Sequence, residues 1–265
     1  MQKITKIEAQ KRLGRFNVYL DGNYAFPVSE DVLIKYKIFK GMEVSEELKT
    51  ALIHADNLSK LYQKALNYLS YQLRTVYEVK VKLAEISEDE EQIDQVIQKL
   101  RAQNLLNDQI YAESYVRTVL MERQKGPKFI DNQLKSKRVD NNIIQQAIYD
   151  FYPEESIIEI GTEIAEKQIL HYRRDSQQMA FNKLRQFLSR RGFDTNAISI
   201  IMETIAAKNI ENHDDQIIDK QVSKYLKKYQ ALDPYQKIQK TKQALYRKGF
   251  SMDDINLSID KLNPK

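Results

Sequence analysis

Residues 183–193 read KLRQFLSRRGF, and a variant of the same stretch, KTKQALYRKGF, occupies residues 240–250. Lys183, Gln186, Leu188, Arg190, Gly192 and Phe193 recur as Lys240, Gln243, Leu245, Arg247, Gly249 and Phe250, while Arg185 and Arg191 become Lys242 and Lys248. An internal repeat of this kind dictates architecture, because both copies need one backbone geometry. A helix ending at Arg191 leaves its last carbonyls unpaired. Gly192, free to enter the left-handed region, lets the following amides turn back onto them and brings Phe193 against Leu188. Gly249, Phe250 and Leu245 supply the same parts in the second copy. Asp194 and Ser251 then stand where a new helix needs a side-chain acceptor for its first amides, with Ile198 and Ile255 opening its apolar face. The unit is helix, glycine turn, capped helix.

On the first helix of each unit Lys183, Gln186 and Arg190 are spaced i, i+3, i+7, about 100° from the stripe of Leu184 and Leu188. One stripe packs while its neighbour offers cations. A basic residue near a helix C-terminus is also favourable for local reasons, by roughly 0.3–1 kcal/mol. The Arg190–Arg191 and Arg247–Lys248 pairs therefore suit either a partner or the helix dipole.

The chain has 265 residues, 42% apolar and 30% charged, enough for two or more folded domains with much solvated helix surface. No apolar run approaches the roughly 18 residues that span a bilayer, and the opening MQKITKIEAQ has no hydrophobic targeting region, so a cytoplasmic protein without membrane contact is expected. The absence of cysteine excludes disulfides, thiolate-bound zinc and thiol nucleophiles. His54, His171 and His213 have no second ligand at metal-binding spacing, and the acidic run Glu88–Glu91 lies where it favours a helix N-terminus, so no metal or cofactor is expected. The glycines at 14, 22, 41, 126, 161, 192 and 249 are too scattered for a dinucleotide or phosphate loop. Net charge is +5, and residues 213–265 hold 11 Lys and Arg against 7 Asp and Glu, which points to an anionic partner.

The first 30 residues differ from the rest. Phe16, Val18 and Leu20 alternate, Asp21-Gly22 supplies a turn, and Tyr24, Phe26 and Val28 alternate again, which predicts a β-hairpin with Ile4–Ala9 as a third strand. Ser29 and Ser45 can cap helices over Glu30–Phe39 and from Glu46 onward, broken by Gly41. From Leu58 the period is helical: Leu61, Ala65, Leu66, Leu69 and Leu73 share a face, and Thr75-Val76-Tyr77-Glu78 forms a capping box ahead of Val79 and Leu83. Ile93, Val96, Ile97 and Leu100 mark the next helix. Asn107 or Asp108 caps another through Tyr111, Tyr115 and Val119, Gly126-Pro127 interrupts, and Ile130, Leu134, Val139, Ile144 and Ile148 follow. Shifted by 54 residues, Leu134, Val139, Asp140 and Ile144 fall on Leu188, Phe193, Asp194 and Ile198, but Arg138 replaces the cap glycine, at a cost of about 1 kcal/mol if the left-handed turn is kept. Pro153 and Pro234 punctuate later units, and residues 206–214 read as a short polar connection. Most tyrosines, Tyr68, Tyr111 and Tyr115 among them, lie on apolar helix faces and are expected in cores.

The fold expected is mainly α: an elongated, curved array of tandem three-helix repeats preceded by a small β-containing domain. The boundaries are 1–56 for the β domain and 57–106, 107–152, 153–212 and 213–265 for four repeats.

These residues resemble the RecX family of bacterial regulatory proteins. The family's S/T-x-x-E-L-x-x-K-L looks like Thr75, Glu78, Val79, Lys82 and Leu83 here, and its G-x-L-x-D turn is similar to Asn104-Leu105-Leu106-Asn107-Asp108. The second repeat is similar through Tyr111-Ala112, Lys125-Gly126-Pro127, Ile130 and Leu134, and the third through Lys183, Phe187-Leu188 and Arg190–Phe193. The likeness covers residues 61–205; the N-terminal segment and the fourth unit depart from it and resemble longer members from low-GC Gram-positive bacteria.

The resemblance implies a non-enzymatic protein, expected as a monomer, that lies along the RecA filament on single-stranded DNA and hinders its ATPase, strand-exchange and coprotease activities. It also implies direct binding to DNA, single-stranded or double-stranded. The residues expected to contact partner or DNA are Lys183, Arg185, Arg190, Arg191 and their copies Lys240, Lys242, Arg247 and Lys248. Lys125, Lys128, Lys135, Lys137 and Arg138 continue them on the second unit. Two other readings fit the same pattern: a stand-alone nucleic-acid-binding protein, and a scaffold on which the basic faces are solvated surface.

Overall fold

A computed structural model describes residues 1–11, 13–173, 175–208 and 213–262. It divides into two compact bodies, Met1–Tyr111 with Ser136–Ile143, and Ala112–Lys135 with Ile144–Lys265.

The first body opens on strands β1 (Gln2–Ala9), β2 (Arg15–Leu20), β3 (Asn23–Ser29) and β4 (Glu43–Val44), an antiparallel sheet in the order β3-β2-β1-β4. The two-residue turn between β2 and β3 places both Asp21 (φ 48°) and Gly22 (φ 86°) in the left-handed region, the combination that matches the twist of a hairpin. Alternation sends Ile4, Val18, Leu20, Phe26 and Val28 to one face, where Val32, Ile38, Val44 and Leu52 complete the core. The two-residue strand β4, too short for any alternation to announce, pairs with Gln2 and Lys3.

Helix α1 (Glu30–Lys35) is shorter than the expected Glu30–Phe39. Lys37 turns left-handed at φ 49°, and the Ile38 amide returns to the Leu33 carbonyl. Ser29 occupies the cap position without capping; its hydroxyl instead meets Ser59 Oγ at 3.0 Å. Ser45 does cap α2 (Glu46–Leu69), accepting from the Leu48 amide at 3.2 Å. α2 is one 24-residue helix, about 36 Å long, so the boundary expected at residue 56 falls inside it. There Asp56, 2% exposed, accepts two hydrogen bonds from Arg15 (3.0 and 2.9 Å) and one from the Ser29 amide (2.8 Å), and pairs with Lys60 at 2.9 Å. This network holds the sheet to the helix.

The C-terminal half of α2 packs with α3 (Val76–Ala84) and α4 (Glu90–Ala102) around Leu61, Ala65, Val79, Leu83, Val96 and Leu100. The capping box is formed: the Glu78 amide donates to Thr75 Oγ1 at 3.2 Å and the Thr75 amide to Glu78 Oε2 at 3.0 Å. Asn104, where the family has glycine, takes the left-handed conformation (φ 56°), and the Leu105 amide closes onto the Leu100 carbonyl at 3.0 Å.

Three further helix triplets follow: α5 (Asp108–Glu122), α6 (Pro127–Ser136) and α7 (Asn141–Phe151); α8 (Glu154–Ile169), α9 (Gln177–Arg190) and α10 (Thr195–Lys208); α11 (His213–Lys228), α12 (Pro234–Tyr246) and α13 (Met252–Leu262). Asn107 caps α5, accepting from the Gln109 amide at 2.9 Å, while Asp108 instead accepts from the Val76 amide at 2.8 Å. The connection expected over 206–214 is shorter, because α10 runs to Lys208 and α11 starts at His213; residues 209–212 lie outside the described residues.

The two glycine turns close as the repeat requires. Phe193 and Phe250 donate to the carbonyls of Leu188 and Leu245 at 3.2 and 3.3 Å, and Gly192 and Gly249 to Ser189 and Tyr246 at 3.0 and 2.9 Å, with φ of 89° and 85°. Asp194 and Ser251 cap α10 and α13, accepting from the Ala197 and Asp254 amides at 2.8 and 3.1 Å. Arg138 keeps the turn with φ 60°. The tyrosines are less buried than their periodicity suggests. Tyr152 is inside at 3% exposure, whereas Tyr71, Tyr149, Tyr235 and Tyr246 stand more than half in solvent because each lies near a helix end or loop.

Candidate partner-binding surface

All the candidate cations but Lys125, which precedes α6, come from one structural position, the second helix of the last three triplets and the turn that ends it. What each can do depends on what it already touches, and the structure sorts them into three groups.

Lys137, Arg191 and Lys248 immediately precede the left-handed residue of their turns, and their carbonyls join successive triplets. The Lys137 carbonyl accepts from Thr75 Oγ1 (3.3 Å), that of Arg191 from the Gly126 amide (2.9 Å), and that of Lys248 from Ser176 Oγ (2.8 Å). In each case the donor sits at the start of the second helix of the preceding triplet, and Thr75 and Ser176 are both 0% exposed. Their side chains follow: Lys137 Nζ pairs with Glu78 at 2.5 Å, Arg191 Nη1 lies 3.4 Å from the Gln124 carbonyl, and Lys248 Nζ donates to Gln221 Oε1 at 3.0 Å. All three are half-buried. Sequence spacing had grouped them with the free cations; the contacts make them joints.

The electrostatics of the first joint reflect its partners. Burial alone would raise the Glu78 carboxyl, but hydrogen bonds from Lys137 and the Thr75 amide hold it below the ordinary value. Burial likewise works against the Lys137 ammonium, and the Glu78 hydrogen bond raises it above the usual lysine range. Burial also raises Asp108, against the hydrogen bond from Val76. In the second body the Tyr152 hydroxyl donates to the Lys125 carbonyl at 2.8 Å, and burial pushes it up to about 12.

The second group is engaged but accessible. Lys135 pairs with Asp131 at 2.8 Å and Lys183 with Asp175 at 2.7 Å. Lys125 lies 4.7 Å from the Phe129 ring centre, and exposed Arg138 lies 5.9 Å from that of Tyr77. Lys183 and Lys240 are therefore unequal copies, because Asp175 neutralises only the first.

The third group, Lys128, Arg185, Arg190, Lys240, Lys242 and Arg247, has no ion pair or ring contact among the described residues, and all but half-buried Lys242 are exposed. Arg185 and Arg190 border a shallow groove with Gln186, Ser189 and Thr195. Their setting reveals a signal that counting charge by segment had hidden. α9 (QQMAFNKLRQFLSR) and α12 (PYQKIQKTKQALY) contain no Asp or Glu, and the lone acid of α6, Asp131, is held by Lys135 and Gln145. Carboxylates collect on neighbouring helices instead, five on α8 and three on α13. Positive charge without a carboxylate thus marks α9 and α12, the second helices of the last two triplets.

Tandem three-helix units joined through turn carbonyls, behind a small antiparallel sheet, define a helical repeat protein. The chain belongs to the RecX family of regulatory proteins. Family sequence models match it as the regulatory protein RecX N-terminal domain at residues 2–45 and as the first, second and third three-helix domains of RecX at 62–100, 107–148 and 213–257. It is 39% identical over 260 residues to the regulatory protein RecX of Limosilactobacillus reuteri strain DSM 20016, covering 98% of each chain. It is 44% identical over 256 residues to that of Levilactobacillus brevis, covering 97% of this chain and 96% of the relative. Among solved structures, a crystal structure of regulatory protein RecX is 41% identical with a TM-score of 0.68, covering 77% of this chain and all of that one. The crystal structure of RecX from Lactobacillus salivarius is 42% identical with a TM-score of 0.55, covering 58% of this chain and 99% of that one.

These matches correct the extent of the likeness read from sequence. The N-terminal sheet, likened there to longer members, matches a domain model of the family, and the third three-helix model, expected at residues 183–193, lies on the last unit. Among the described residues no helix is long and apolar enough to cross a membrane.

Proposed function

We propose that the protein is a cytoplasmic, monomeric, non-catalytic regulator that binds the RecA filament on single-stranded DNA and inhibits its ATPase, strand-exchange and coprotease activities. Family membership supports the regulatory role. The observation that carries the reading further is the set of unpaired cations on α9 and α12, two second helices that carry no carboxylate, which suits a repeating polyanionic partner such as a DNA-loaded filament. Within it Lys128, Arg185, Arg190, Lys240, Lys242 and Arg247 make the contacts, and the units 57–106, 107–152, 153–212 and 213–265 act as successive domains behind the β domain.

The test is RecA ATPase on single-stranded DNA, titrated with the protein and with a variant carrying Arg190→Glu, Lys240→Glu and Arg247→Glu. The wild type should suppress turnover and the variant should not. Unchanged turnover and filament lifetime at saturating wild type would sink the proposal. The same charge segregation favours direct binding to single-stranded DNA, which filter binding without RecA measures separately.

A further inference from the structure

A cleft in the first body, enclosed by α1, α2 and α4, takes no part in the surface described above. Its volume is about 280 Å³, just under the roughly 300–1,000 Å³ usual for small-molecule pockets. Val32, Leu58 and Val96 form an apolar floor, and Tyr36 and Tyr62 stand on its walls. Each ring is accompanied by a lysine: Lys35 Nζ lies 5.7 Å from the Tyr36 ring centre and Lys99 Nζ 3.8 Å from that of Tyr62. Both lysines are exposed, come from different helices and have no carboxylate partner among the described residues. Exposed Asp31, also without an ion pair there, is the cleft's one carboxylate.

We infer that this cleft binds a nucleoside phosphate whose base carries an exocyclic amine. Two ammonium groups at the rim call for an anion. Two tyrosines above an apolar floor call for a flat ring, because a base stacks on an aromatic face. Lys99, now on the Tyr62 ring, can move to a phosphate and free that face. Asp31 narrows the choice: a carboxylate repels a bare polyanion but accepts from an amino group, so adenine or cytosine fits and thymine does not. Inorganic phosphate lacks the ring, and an acyl chain lacks both ring and amine. The nucleotide can be free or one residue of a strand.

Isothermal titration of the full chain with AMP, dTMP, inorganic phosphate and an oligo(dA) octamer tests this. AMP should bind saturably at one site, about tenfold tighter than dTMP or phosphate. Lys35→Ala with Lys99→Ala, both at exposed positions, should weaken AMP by at least about tenfold, while Lys240→Ala with Arg247→Ala should leave AMP unchanged. Loss of the octamer in the first variant would assign the site to a strand nucleotide, and loss of AMP alone to a free one. No saturable AMP binding, equal affinity for AMP and dTMP, or AMP binding indifferent to the lysine pair would each overturn the inference. None of these readings depends on RecA, so failure here leaves the proposed function standing.

Discussion

Single residues decide whether the turns can exist. Gly192 needs glycine twice over: its φ is 89°, and a Cβ there would stand 2.4 Å from the Phe129 amide nitrogen. Gly192→Ala should therefore cost at least about 2 kcal/mol in urea denaturation, the left-handed penalty plus a backbone displacement. Arg138 holds the same conformation with a side chain, so Arg138→Gly relieves strain while loosening the unfolded chain, for a net gain of up to about 1 kcal/mol. The glycine turns were legible because cap, staple and next helix lie within a dozen consecutive residues. The contact with Phe129 was not, nor was the Asp56 network, whose partners Ser29 and Arg15 lie 27 and 41 residues away. Asp56→Ala leaves Arg15 without its carboxylate and the Ser29 amide unpaired. It should destabilise the β domain by about 3–5 kcal/mol, read from the loss of sheet signal at lower urea than wild type.

At the scale of elements, the joints make each second helix depend on a turn outside its own triplet. Ser176→Ala removes both the bond to the Lys248 carbonyl (2.8 Å) and the cap on the Met179 amide (3.2 Å), and should cost about 1–3 kcal/mol. The joint built on Glu78 is pH-dependent. Because the folded carboxyl is held low, its contribution is complete above the unfolded value near 4.5 and disappears as pH falls through the lower folded value. Urea melts between pH 5 and roughly pH 3 should show this acid loss in the wild type and a smaller one in Glu78→Gln. Periodicity found the helices and their faces, since apolar spacing is local. It could not distinguish Arg190, which is exposed, from Arg191, which is half-buried against the Gln124 carbonyl, because the two are neighbours in sequence and only packing separates them. The same division predicts that Arg190→Glu with Arg247→Glu lowers single-stranded DNA affinity and flattens its salt dependence by about 0.7 per phosphate lost, in filter binding across salt. Lys248→Glu, at a joint, should lower stability instead.

For the whole molecule, the repeat announced tandem architecture because two copies of one pattern admit one geometry. It was silent where copies diverge: Asp175 neutralises Lys183 but nothing described neutralises Lys240, and α2 runs unbroken from the β domain into the first triplet. Removing residues 213–265 should lower the melting temperature of what remains, since the Ser176 hydroxyl, 0% exposed in the intact chain, loses the carbonyl it donates to. The joints also share a direction: in all three the donor precedes its acceptor, by 62 residues from Thr75 to Lys137, 65 from Gly126 to Arg191 and 72 from Ser176 to Lys248. A ribosome delivers the donor first. The donors at the starts of α3, α6 and α9 therefore emerge before the carbonyls they meet, and each joint closes only once the next turn has left the exit tunnel.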